Sequence, residues 1–174
     1  VLSPPGFKGE NNVQLIYRNN FVFSAEDVRK NILLPFRTER DFDRLVIRLK
    51  YGPKAIRDPA IINPQIEKCV RTYFPPDQQL TDEDRKEYDQ LLNFVTLSLD
   101  HDGAYVGCAH RHPPQQTIVL SSSGSSWGFE PTAASAGSWR IVLHVQAVVA
   151  GTVDYALAVC GLEEGESDAC IPAL

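Results

Sequence analysis

From Trp139 onward the chain steps between apolar and polar positions with a period of two, so that Trp139, Ile141, Leu143 and Val145 share one face of an extended segment. That phase predicts a β-strand with one buried side, and Trp139 is large enough to anchor an apolar interior. Ahead of it, Gly128-Phe129-Glu130-Pro131 and a run of small residues up to Gly137 read as an inter-sheet loop, with Gly137 supplying the backbone freedom needed to turn into the strand. The same alternation marks Phe42 to Tyr51, where Leu45, Ile47 and Leu49 oppose Arg44, Arg48 and Lys50. It returns at Val95, Leu97 and Leu99 before an Asp100-His101-Asp102-Gly103 turn, then in arms over Tyr105 to His110 and Thr117 to Leu120. Val153 to Val159 follows Trp139 to Val149 after a turn at Ala150-Gly151-Thr152. At the front, Val13 to Arg18 and Asn20 to Ser24 predict a strand pair turning at Asn19-Asn20, and extended chain resumes at Ile32 to Phe36 after a polar connector or helical turn.

Residues 57–93 break the pattern. Asn63-Pro64 predicts a helix start, with Ile66, Cys69, Val70 and Tyr73 at helical spacing before Pro75-Pro76 ends the run. Thr81 with Asp84 three residues on approximates a capping box, followed by Tyr88, Leu91 and Leu92 as a narrow apolar stripe. The expectation is a helical insertion between two core strands, polar enough to lie outside and cover a sheet edge or one end of a sandwich.

At 174 residues the chain is expected to fold as one domain over residues 1–162, large enough for a core without metal or disulfide staples, with an acidic, loosely held tail over 163–174. The formal net charge of −5 and the lack of a basic stripe leave no electrostatic footprint for nucleic acid, which is excluded as a partner. No apolar run approaches the roughly 18 to 20 residues of a spanning helix, so membrane insertion is not expected. The domain reads as soluble, with an extracellular or cytoplasmic location left open. Lack of methionine and a start at Val1 point to a processed or trimmed segment. Cys69, Cys108, Cys160 and Cys170 lack the paired spacing of a zinc site; Cys160 and Cys170 can close a small loop, but free thiols are the expectation for a domain of this size.

The segment from about Val95 to Val159 resembles the β-sandwich domain preceding the PHP-type metallohydrolase domain of carbaryl-hydrolase-like bacterial proteins and, more distantly, bacterial pre-peptidase C-terminal domains. The residues that carry the resemblance are Asp100 and Gly103, Tyr105 and Gly107, Gly128, Phe129 and Pro131, Gly137 and Trp139, and finally Tyr155, Leu157 and Val159. Cys108, Ala109 and His110 depart from the family's Trp-Ser-Gly, and the helical insertion has no counterpart. The resemblance implies an accessory unit whose metal chemistry would reside in a following domain.

Several residues invite a sharper reading. His110 and His112 share a strand face and could open a metal-dependent hydrolase site, but too few further ligands accompany them, and an exposed strand end is expected. Asp100 and Asp102 begin a calcium-like loop without its later ligands, so a hairpin turn is expected. Ser121 to Ser126 lacks the strained elbow of a serine nucleophile and reads as a flexible loop. Trp127, in that loop, either folds back over the sandwich end or, with Tyr105 and Arg111, meets a ligand.

The fold expected is mainly β, an antiparallel β-sandwich of jelly-roll type. The function expected is a non-catalytic accessory or binding module acting without a cofactor through loops at 101–115 and 121–136, its partner another domain, a protein or a carbohydrate. Trp139, Gly137, Gly128 and Tyr155 are its expected structural residues. The alternatives are a secreted carbohydrate-binding module using Trp127 and Tyr105, and a metal-dependent hydrolase using His110 and His112.

Overall fold

Gln14–Ser24 form one strand, β1, where the sequence predicts two. Asn19 and Asn20 stay extended because they pair with Leu157 and Ala156 of a distant strand, and that pairing overrides their turn preference. The only irregularity is a register shift between Leu15 and Tyr17. The computed structural model describes residues 13–77, 80–110, 113–167 and 174.

Ser24 then caps a single 3-10 turn, Ala25–Asp27, with the reciprocal bonds of a capping box. The chain continues through β2 (Asn31–Thr38), β3 (Arg44–Gly52), β4 (Ala55–Ile56), α1 (Pro59–Tyr73), α2 (Asp82–Glu87), β5 (Leu91–Leu92) and β6 (Phe94–His101). It ends with β7 (Ala104–Ala109), β8 (Gln115–Leu120), β9 (Gly137–Ala147) and β10 (Thr152–Leu162). Two antiparallel four-stranded sheets result, ordered β1-β10-β3-β8 and β2-β9-β6-β7, and they pack face to face as a β-sandwich. Within these two sheets only β6 and β7 pair with their neighbour in sequence. The turn after β9 carries the chain across to the other sheet, so β9 and β10 lie in different layers.

The predicted alternation decides what faces inward. Leu45, Ile47 and Leu49 meet Leu97, Leu99, Ile141 and Leu143 in the core. Each such fully buried aliphatic side chain stabilises the fold by about 1.5–3 kcal/mol relative to exposure. Trp139, 1 % exposed, stacks between Phe36 and His101, with ring centroids 6.2 and 3.8 Å away. Its indole N–H donates to the buried Thr38 hydroxyl at 3.1 Å. Tyr155 is buried at the other end among Tyr51 and Phe23, and burial pushes its phenol far up. Val46, Cys160 and Leu162 form a second buried cluster with Val13 and Val119 packed on it.

The insertion differs in detail from its prediction. Helix α1 starts at Pro59 rather than Asn63-Pro64, because Asp58 caps it by accepting the Ala60 N–H at 2.9 Å and Pro59 takes the first turn. Pro64 sits inside the helix. Thr81 and Asp84 make the expected reciprocal bonds at the start of α2. Leu91 and Leu92 belong to β5, which pairs with β4 and closes the base of the excursion. Buried Asn93 ties that base to the sandwich: its side chain donates to the Pro53 carbonyl at 2.9 Å and accepts the Val149 N–H at 2.7 Å.

The loop between β8 and β9 closes one side of the sandwich. Ser126 bonds Val119 at the edge of one sheet, while Gly128 and Glu130 bond Cys108 and Val106 at the edge of the other. Both edges are thereby covered. The approach at Gly128 needs a glycine: its φ is 91°, and a Cβ there would lie 2.3 Å from the Cys108 carbonyl oxygen. The start of the acidic tail is held rather than loose, since Arg40 pairs with Glu163 and Arg44 donates to the Glu166 carbonyl.

Candidate functional site

The outward phase of β2, β9, β6 and β7 mixes polar side chains with a few apolar ones such as Leu33 and Val142 where the inward phase is apolar, so one broad face of the sandwich collects side chains from four neighbouring strands. Register decides the rows. Asn31 of β2 lies opposite His144 of β9, which lies opposite Thr96 of β6; Ser98 is opposite Val142 on one side and Cys108 on the other. One row further, Asp100 lies between Arg140 and Tyr105. Thr96, Ser98, Tyr105, Cys108, His110, His144 and Gln146 line an open depression of about 300 Å³.

Two hydrogen bonds organise its floor. His144 Nδ1 lies 2.8 Å from Asn31 Oδ1, and His144 Nε2 lies 2.9 Å from Ser98 Oγ. Because the amide oxygen only accepts, Nδ1 carries the ring proton and Nε2 is left to accept from the serine hydroxyl. Burial, and then the His110 imidazole, hold the His144 pKa below its ordinary value, which favours the neutral ring. Arg140 Nε donates to Asp100 at 2.9 Å and fixes an ion pair beside the depression.

Tyr105 stands at the rim, 64 % exposed. Hydrogen bonding to Cys108, then burial and the electrostatic influence of the neighbouring Cys108 and Asp100, push its phenol up to about 12, so the hydroxyl remains protonated across the physiological range. Trp127 does not fold back over the sandwich end. It is 92 % exposed, next to the Gly128 carbonyl that pairs with Cys108 of β7. The loop is held by its backbone contacts to both sheets, leaving the indole outside the core.

The remaining predicted residues fall apart from one another. Asp100 is engaged by Arg140, whereas Asp102 accepts the Ser138 N–H at 2.8 Å in the hairpin turn, so the two carboxylates serve different partners. His110 reaches the depression and meets the Phe94 ring edge-on at 6.0 Å. Arg111 and His112 lie outside the described residues. Among the described residues no three His, Cys, Asp or Glu side chains converge as a metal site. Gly137 opens β9 where a Cβ would lie 2.7 Å from the His101 ring nitrogen. Cys69, Cys108 and Cys160 are free thiols, and Cys170 lies outside the described residues. Among the described residues no helix is long and apolar enough to cross a membrane.

Sequence reasoning passed over Asn31, Ser98 and His144. Their polar phase on otherwise apolar strands was the available signal, but their convergence depends on β2, β9 and β6 being neighbours. No family model matches the chain, and no curated protein or solved structure matches it at significance.

Proposed function

We propose that this protein is a binding module of jelly-roll type that holds a carbohydrate on the outer face of its β2-β9-β6-β7 sheet. The jelly-roll reading rests on the strand orders, in which the chain passes repeatedly between layers before pairing. It is compatible with the resemblance to the accessory sandwich of PHP-type metallohydrolases, and an accessory role beside a further domain is part of the proposal.

The observation that carries the reading is a shallow depression with an exposed aromatic at its rim and mostly uncharged hydrogen-bonding groups on its floor: Tyr105 above Thr96, Ser98, His144 and Gln146. A pyranose ring offers an apolar C–H face to stack on an aromatic and a ring of hydroxyls that both donate and accept. Such a site needs mixed donors and acceptors more than net charge. Trp127, on the loop that pairs with β7, supplies a second exposed ring for a longer glycan. The face, rather than the loops alone, is then the binding surface.

A glycan array probed with the full chain tests this directly. A hit weakened about tenfold or more by Tyr105→Ala supports the site, since losing a stacked aromatic costs on the order of 1–2 kcal/mol. Silence across the array, or binding indifferent to Tyr105→Ala and Trp127→Ala alike, refutes it.

A further inference from the structure

Apart from any sugar it holds, the same face places a hydroxyl, an imidazole and an amide in line. We infer that Ser98 is a nucleophile toward carboxylic esters, with His144 as its general base and Asn31 as the positioning residue.

Three observations meet in this assignment. Ser98 Oγ lies 2.9 Å from His144 Nε2, and His144 Nδ1 lies 2.8 Å from Asn31 Oδ1, so one ring nitrogen can take the serine proton while the other is anchored. The three side chains come from three adjacent strands, β6, β9 and β2, whose ladders fix their spacing without loops. Ser98, though only 8 % exposed, and His144 both line the 300 Å³ depression, which is the route by which an acyl group would approach the oxygen. The lowered pKa of the imidazole keeps it in the basic form at neutral pH.

The chemistry balances with water as the only co-reactant. Ser98 Oγ bonds to the ester carbonyl carbon as its proton passes to His144 Nε2. Collapse of the tetrahedral adduct breaks the ester C–O bond, and the leaving alcohol takes that proton. Water then attacks the acyl-serine with His144 again as base, releasing the carboxylic acid and restoring Ser98.

β6 is paired on both sides, so its ladders occupy the backbone N–H groups that often meet a developing oxyanion. The side-chain donors bordering the depression are the Tyr105 hydroxyl, which hydrogen-bonds Cys108, and the Gln146 amide, which donates one N–H to Thr96 Oγ1 at 3.4 Å and keeps a second. With no free pair of backbone N–H groups on β6 to hold an oxyanion, the assignment is confined to activated esters with good leaving groups, and amides fall outside it. From β2 the imidazole faces Asn31, from β6 Thr96 and Ser98, and from the end of β7 His110; Cys108 and Tyr105 border the depression, and the Arg140–Asp100 pair lies further along β9.

The full chain, incubated with 4-nitrophenyl acetate and then digested for peptide mapping, decides the matter. The expected result is nitrophenolate release faster than with free imidazole at equal concentration, with acetyl trapped on Ser98. Ser98→Ala should abolish the adduct, and His144→Gln should slow release by about 100-fold or more. Asn31→Asp should move the acid limb of the pH–rate profile upward, because a carboxylate at that position stabilises the imidazolium. Thermal unfolding of each variant identifies any that fail to fold, and diisopropyl fluorophosphate labelling of the unaltered protein then provides the site. Acetyl or phosphoryl groups on Cys108 or His110 instead of Ser98, a rate no greater than free imidazole, or a profile unmoved in folded Asn31→Asp would each overturn the assignment. A silent glycan array would leave it standing, because the esterase test needs no sugar.

Discussion

The Trp139 indole N–H donates to Thr38 Oγ1 at 3.1 Å, joining the first residues of β9 to the last residue of β2 inside the core. Thr38 in turn donates to the Ser135 carbonyl at 2.8 Å, which also lies 3.3 Å from the indole nitrogen. The core tryptophan thus has two acceptors, one of them fastening the loop ahead of β9. Thr38→Val, which keeps the shape, should cost about 1 kcal/mol, since the Ser135 carbonyl still takes the indole proton. Combined with Trp139→Phe the effect should be less than additive, and urea unfolding of the four-member cycle measures it. Additive losses would mean that the bond contributes nothing.

Asn93 binds the insertion to the sandwich through the Pro53 carbonyl and the Val149 N–H. Asn93→Ala leaves both buried groups without that partner and should destabilise the protein by about 2–4 kcal/mol. Limited proteolysis should then cut within residues 57–93 sooner than in the unaltered chain. Unchanged stability and cleavage would show that the amide is not the tie.

His144 links stability to pH. Its folded-state pKa lies below the ordinary value of about 6.5, so between the two values the unfolded chain takes up a proton that the folded chain refuses. The associated stability is present above about pH 6.5 and is lost as pH falls toward the lowered folded value. The fall in melting temperature between about pH 7 and pH 5 should therefore be shallower in His144→Gln. An equal or steeper fall would place the acid sensitivity elsewhere.

The cysteines should separate by access. Cys69 is exposed, whereas Cys160 is fully buried and burial raises its thiol pKa. Native protein treated with a chromogenic disulfide reagent should react at Cys69 within minutes and at Cys160 only after denaturation. Peptide mapping that found Cys160 blocked before denaturation would indicate a disulfide.

Much of the sandwich was legible because burial writes a period of two into each strand. Leu45, Ile47 and Leu49, or Trp139, Ile141 and Leu143, announce an inward face wherever their strand happens to lie. The limits of single elements were less clear where a local preference competed with a distant partner. Asn19-Asn20 looks like a turn until β10 pairs with it, and Asn63-Pro64 looks like a helix start until the Asp58 cap and Pro59 precede it.

The site was hidden for a different reason. Ser98, His144 and Asn31 are separated by 46 and 113 residues, and nothing local to any of them specifies the others. Alternation along the chain determined that each would point away from the core, because that depends only on strand phase. Only the tertiary structure decided that they meet, because strand order and register are set by how two whole sheets close over one interior. Trp127 makes the same point from the other side: its sequence leaves an indole in a Ser/Gly loop, and the bonds from that loop to both sheet edges leave the ring exposed.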